Sequence, residues 1–191
     1  MTAPSSRLGQ ESGSVMLLGL ALMLVVGTLS FAMLQAVGLE QRLAYQERDR
    51  QVAFHAAEAA LHHAQALIDS NEGGLFSPLH EATFPTRCAN GLCRSTPAAP
   101  AWKSLPASAW AEGATLTRAY PAPADALDLT ALASLPRHFI EYQGSLTPME
   151  PGAPCLALFL ITARATGLTA HSVVTLQSEY RLRAGTCQPA I

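Results

Sequence analysis

Charge is what this sequence has least of. Asp, Glu, Lys and Arg together make up 14% of its 191 residues, roughly half the share usual in globular proteins. Lys103 is the single lysine, and twelve basic against fourteen acidic side chains leave a net charge of -2. That inventory assembles no broad electropositive face, which argues against a nucleic-acid partner and against lysine-based phosphate chemistry. Catalytic signatures are missing as well. There is no G-x-S-x-G elbow, no G-x-x-x-x-G-K-[ST] loop, no G-x-G-x-x-G turn and no H-E-x-x-H pair. Hydrophobic residues, by contrast, reach 49%, too many for a disordered chain.

The shortage of charge is local. Between Glu11 and Glu40 no charged residue occurs, and the run Val15-Met16-Leu17-Leu18-Gly19-Leu20-Ala21-Leu22-Met23-Leu24-Val25-Val26 continues through Phe31, Met33 and Val37 to Leu39. About 20 apolar residues cross a bilayer as a helix, and this stretch exceeds that. A secretory signal would have an apolar core of about 7–15 residues and an A-x-A-like cleavage site, and neither is found. Residues 14–39 therefore read as a membrane helix.

From Glu40 to Ile68 the missing residues are proline and glycine, and Ala, Leu, Gln, Glu and Arg predominate. Leu39, Leu43, Val52, Phe54, Ala56, Ala57, Ala60, Leu61, Ala64, Leu67 and Ile68 recur mostly at gaps of three and four, the spacing of an amphipathic helix. Arg42, Gln46, Glu47, Arg48, Asp49 and Arg50 crowd the stretch just past the apolar run. One helix from about Ser14 to Asp69, about 80 Å long, is the simplest reading. Asn71-Glu72-Gly73-Gly74 ends it. A projecting amphipathic half needs cover, which the remaining residues must supply.

Those residues divide in two. Residues 75–136 are rich in Pro, Ala and Ser and read as ordered loops. Residues 137–183 carry strand character at 139–142, 155–164 and 171–183, with Thr166-Gly167-Leu168-Thr169 turning a hairpin and 114–120 offering a fourth strand. The expected fold class is α+β: a long N-terminal helix with a small antiparallel β-sheet packed on its C-terminal half. The expected organisation is 1–13, a leader; 14–39, the membrane half of the helix; 40–70, the amphipathic half; and 71–191, a globular domain.

Four cysteines lie beyond the apolar run. Cys88 and Cys93 flank a tight loop, Cys155 opens one strand and Cys187 follows another. Neither pair has the C-x-x-C spacing of a structural zinc site, so disulfides Cys88–Cys93 and Cys155–Cys187 in an oxidising compartment are favoured, although four cysteines permit three pairings. His55, Glu58 and His62 share a helix face, with a solvated polar stripe the reading preferred over a metal site. No metal and no cofactor is called for. Asp125 and Asp128 have helix-start spacing. Trp102 and Trp110 read as anchors pinning a proline-rich loop, or else as a binding platform.

The N-terminal residues carry a further pattern. Arg7-Leu8-Gly9-Gln10-Glu11-Ser12-Gly13 leads directly into Ser14-Val15-Met16-Leu17-Leu18, a hydrophilic leader ending in glycine before an unbroken apolar helix. With an amphipathic extension and a cysteine-bearing sheet behind it, this resembles the type IV pilin superfamily. The resemblance implies that a prepilin peptidase cuts between Gly13 and Ser14 and methylates the new amino terminus. It also implies a glutamate at the fifth mature position in subunits that repeat along a shaft; here that position is Leu18, which suggests a subunit at or near a tip.

Gln41-Arg42-Leu43-Ala44 followed by Arg48-Asp49-Arg50-Gln51-Val52-Ala53-Phe54-His55-Ala56-Ala57-Glu58-Ala59-Ala60-Leu61, Asn90-Gly91-Leu92-Cys93, Ile161-Thr162-Ala163-Arg164-Ala165-Thr166-Gly167 and Val173-Val174-Thr175-Leu176-Gln177-Ser178-Glu179-Tyr180 look like the PilX-like minor pilins; residues 94–136 have no such support. What this implies is no enzyme. It implies a structural subunit that joins other minor pilins, an inner-membrane assembly platform and a tip adhesin to prime pilus assembly, in twitching motility and attachment. The subunit would be a single-pass inner-membrane protein with a periplasmic domain before assembly, and at the tip or base of an extracellular fimbrium afterwards. The alternatives are a type II secretion minor pseudopilin and a bitopic periplasmic binding or sensor protein.

Overall fold

The computed structural model describes residues 12–74, 76, 83–95, 99–121, 131–146 and 155–184. The chain separates into two compact units, Met1–Tyr45 and Gln46–Ile191. Helix α1, Ser12–Asp69, supplies the described part of the first unit and enters the second. Within the first unit Leu17, Leu18, Met23, Leu24 and Phe31 are all exposed. A surface of that composition is stable only against an apolar surrounding, and the helix is long and apolar enough to cross a membrane.

In the second unit α1 buries one stripe, Ala53, Ala56, Ala57, Ala60, Leu61, Ala64, Leu67 and Ile68. The spacing is the expected three and four, and the abundance of alanine allows the sheet to come close to the helix axis. Phe54, read from sequence as part of this stripe, is 43% exposed. It follows Ala53 by one residue, and about 100° of helical rotation carries it off the buried face. Leu39 and Leu43 are exposed too.

Against the stripe lies a five-stranded sheet: β1 Leu92–Arg94, β2 Arg118–Ala119, β3 Arg137–Leu146, β4 Cys155–Thr166 and β5 Val173–Ala184. Its order is β1-β3-β4-β5, with β2 also pairing β3. The three expected strands are present; β3 and β4 run longer than expected, and β5 starts and ends slightly later than the expected 171–183. The pairs β3–β4 and β4–β5 are antiparallel, joined in the latter case by the expected hairpin. The sheet is mixed, however, because β1 runs parallel to β3 with Leu92 opposite Ile140. The chain leaves β1 through a short helix, α2 (Ala101–Ser104), and β2 before it returns, which gives the crossover that parallel pairing requires.

The expected fourth strand at 114–120 shrinks to Arg118–Ala119. Arg137 accounts for this, because its guanidinium takes the carbonyls of Ala114 and Thr117 and the Thr117 hydroxyl, groups a longer strand would use or orient otherwise. Strand β3 is covered on both faces. Ile140 and Tyr142 join Ala60, Leu61, Ala64, Ile68, Phe76, Phe84, Phe159 and Ile161 in the principal core. Phe139, on the other face, packs with Cys88, Cys93 and Ala101 and with Leu105, Trp110 and Leu116. The proline-rich segment is thus a third layer over the sheet, with a small core of its own.

Candidate functional site

Among the described residues the places where chemistry concentrates are the start of α1, two polar junctions between α1 and the sheet, and the disulfide loop. Gly13, Ser14 and Leu18 all lie within the first turns of α1, which begins at Ser12, two residues ahead of the expected helix start. Leu18 is 67% exposed. Residues 1–11, the rest of the expected leader, lie outside the described residues.

The first junction is built on Asp49. This carboxylate is 7% exposed on the same face as the alanine stripe, four residues before Ala53. Its Oδ1 accepts hydrogen bonds from the backbone N–H of Leu168 and of Thr169, and its Oδ2 accepts one from the Thr169 hydroxyl. The Thr169 hydroxyl, then that of Ser172, then the two backbone donors hold its pKa below the usual carboxylate range, against the opposing effect of burial. Gly167 makes the approach possible: a Cβ there would overlap Asp49 Oδ1 and lie 2.5 Å from Asp49 O. Asp49 therefore clasps the tip of the β4–β5 hairpin to α1. Further along, Gln65 donates to Ser178 Oγ at 3.5 Å and the Tyr180 hydroxyl donates to Asp69.

The second junction brings together His63 of α1, Arg118 and Tyr120 at β2, His138 of β3 and Glu72 just past α1. His63 stands 5.3 Å from Tyr120, edge to face, and 5.4 Å from His138 between ring centroids. Arg118 pairs with Glu72 at 2.8 Å. Burial, followed by the charge His63 would carry if protonated and by the guanidinium charges of Arg118 and Arg137, depresses the His138 pKa to about 3. Burial and Arg118 lower that of His63. Both rings are neutral at ordinary pH.

Cys88 and Cys93 form a disulfide with Cα atoms 4.4 Å apart, around a turn in which Asn90 and Gly91 both have positive φ. Gly91 also faces Arg118, whose Cβ would lie 2.7 Å from an added Cβ. On the same side of the sheet Glu141, fully buried, accepts the backbone N–H of Ala101 at 2.6 Å and so caps α2, whose own N-cap residue, Pro100, supplies no side-chain bond. Cys155 is disulfide-bonded; Cys187 lies outside the described residues.

Other sequence candidates separate. His55 pairs with Glu58 at 3.4 Å while His62 turns to Gln65 at 3.1 Å, and among the described residues no group of three His, Cys, Asp or Glu side chains could hold a metal. Trp110 packs 5.6 Å from Phe139, under the Arg164 guanidinium, as an anchor. Trp102 is 42% exposed. Asp125 and Asp128 lie outside the described residues. Asp49 and the His63–His138 pair escaped sequence reading as sites. For Asp49 a signal existed, namely an acidic residue in phase with the apolar stripe; His138, at the start of a strand, gave none.

A family model described as "Type IV pilus assembly protein PilX C-term" matches residues 83–182, from the loop ahead of the disulfide to β5. No curated protein and no solved structure matches the chain.

Proposed function

The chain belongs to the PilX family of type IV pilus assembly proteins, and from that premise we propose that it is a minor pilin of a tip or priming complex. The family is one of structural pilin subunits. A membrane-anchored pilin needs an apolar helix to hold it before assembly, and α1 supplies one. The family match over the sheet, behind a helix whose residues 12–39 carry no charge, is the observation that carries the reading.

In the proposed cycle the peptide bond between Gly13 and Ser14 is cut by a prepilin peptidase, and the new amino terminus is methylated. The inner membrane holds residues 14–39 with the sheet in the periplasm. Extraction of the Leu/Val/Met surface from lipid is costly, and packing it against helices of other minor pilins offsets that cost. Leu18 leaves the subunit without a carboxylate for a neighbour ahead of it, and this supports a place at the tip rather than along the shaft. An unpaired carboxylate in an apolar core is expensive, so its absence favours a subunit with no such neighbour. There the sheet would meet the other minor pilins and an adhesin, in support of motility and attachment.

N-terminal sequencing and intact mass of the native protein, with co-purification from sheared pili and from membranes, test this. A methylated Ser14 and recovery with other minor pilins are expected. A chain in sheared filaments that still carries residues 1–13 overturns the processing. Recovery with a secretion pseudopilus instead would move the subunit to that machine.

A further inference from the structure

His138 presents a problem that its protein neighbours do not solve. It is 1% exposed, and neither Nδ1 nor Nε2 has a hydrogen-bond partner. A neutral imidazole carries one N–H donor and one acceptor nitrogen. Leaving a buried donor or acceptor bare costs about 1–3 kcal/mol, and native proteins rarely tolerate it without a water or an ion. His63 does not serve as the partner, since its own Nδ1 is buried and unpaired. Three orphaned nitrogens therefore lie in one seam between α1, β2 and β3.

Beside His138 the seam opens into a cavity of about 10 Å³. Leu67, Phe76, Leu92 and Ile140 form the larger, apolar part of its lining, to which Glu72, Asn90 and Arg118 add polar groups. A hole with no polar group in its wall stays dry, whereas one of about 10–15 Å³ that offers hydrogen-bond partners has room for one water. It is far too small for an organic ligand. The cations of Arg118 and Arg137, both close enough to His138 to disfavour its protonation, equally disfavour a metal ion. A neutral occupant that both donates and accepts is what remains.

We propose that this cavity is the binding site of a single structural water, hydrogen-bonded to a ring nitrogen of neutral His138 and to the polar wall. The water completes the junction between the end of α1 and β2 that the Arg118–Glu72 pair begins. It makes the buried histidine a connector of helix to sheet.

The full chain in detergent micelles, labelled with ¹⁵N-histidine, gives the test. His138→Gln assigns the His138 resonances; should that variant not fold, replacing the other five histidines in turn assigns them by elimination. The expected result is a neutral His138 ring with one protonated and one hydrogen-bonded nitrogen and magnetisation transfer from a bound water. The pattern should be unchanged between pH 7.5 and pH 5 and indifferent to chloride. A ring with unbonded nitrogen shifts and no water contact overturns the proposal. So does protonation of His138 at pH 5 that depends on chloride, which would make the occupant an anion, or a direct bond between His138 and His63.

Discussion

Two side chains between α1 and the sheet are held one ionised and one neutral, and acid begins to act on them at different pH. Asp49 is kept ionised by the hydroxyls of Thr169 and Ser172 and by two backbone donors. Its folded pKa lies below the usual carboxylate range, so its contribution is complete above that range and disappears as pH falls through the lowered value. His138 is kept neutral, with its pKa brought from 6.5 to about 3. The unfolded imidazole binds a proton near pH 6.5 and the folded one does not, so stability is complete above 6.5 and drains away between 6.5 and about 3. Thermal unfolding of the full chain in detergent should therefore hold steady above pH 7 and begin to fall near pH 6.5, before the carboxylates titrate. The total loss attributable to His138 is about 3–5 kcal/mol, with His63 adding to it. His138→Phe should flatten this limb; an unchanged limb would show that the depressed pKa is not its cause. Asp49→Ala leaves the Leu168 and Thr169 donors without their acceptor. A loss of about 1–3 kcal/mol in urea unfolding is expected, and a variant as stable as the wild type would mean that the hairpin tip is not held through this carboxylate.

Clasping one hairpin to one helix depends on a glycine that has no freedom to become anything else. Gly167→Ala drives a Cβ into Asp49 Oδ1 and against Asp49 O, so the tip must lift from α1, at a cost of about 1–3 kcal/mol. Hydrogen exchange should accelerate at Gly167–Ser172 while the middle of β4 stays protected. In an Asp49→Ala background the penalty should shrink without vanishing, because the backbone carbonyl at 2.5 Å remains. Opening the Cys88–Cys93 bridge acts on a different element. The loop is short, so the chain-entropy account gives about 2 kcal/mol, and the loss should be confined to β1, α2 and the small core under Trp110, as read by near-UV circular dichroism of Cys88→Ser/Cys93→Ser. What the sequence reveals follows the same division by element. Helix α1 and the β4–β5 hairpin are legible because their periodicities are long and their ends marked by Asn71-Glu72-Gly73-Gly74 and Gly167. Strand β1 is not, since three residues at the closing end of a disulfide loop carry no period and its partner β3 is 48 residues away, Leu92 pairing with Ile140. Phe54 misleads because apolar character, not phase, was counted. Asp49 signals its burial through its phase with the apolar stripe but not its partners, and His138 signals nothing, because their roles exist only once hairpin, helix and strand meet.

For the whole molecule, the proposed place in a pilus turns on a charge that is missing. Residues 12–39 contain none, and Leu18 stands at the proposed fifth mature position, exposed on the apolar helix. A glutamate there would meet two different fates. In a subunit with another ahead of it, the carboxylate would neutralise that neighbour's amino terminus. In a subunit with nothing ahead, it would stay unpaired in lipid or in an apolar filament core, at a cost of up to about 3 kcal/mol by insertion scales. Leu18→Glu should therefore accumulate in the membrane at the wild-type level, since one carboxylate does not outweigh so long an apolar run, yet fail to prime assembly. Pilus number in cells relying on the variant should fall several-fold, with the sheet's unfolding transition unchanged because residues 46–191 form a compact unit of their own. Should the variant instead appear in sheared filaments in greater amount and along their length, the subunit would have been kept out of the shaft by its missing carboxylate alone. If piliation and distribution both remain as in the wild type, the fifth position does not decide where this subunit sits, and the tip assignment loses its support while family membership, which rests on residues 83–182, stands.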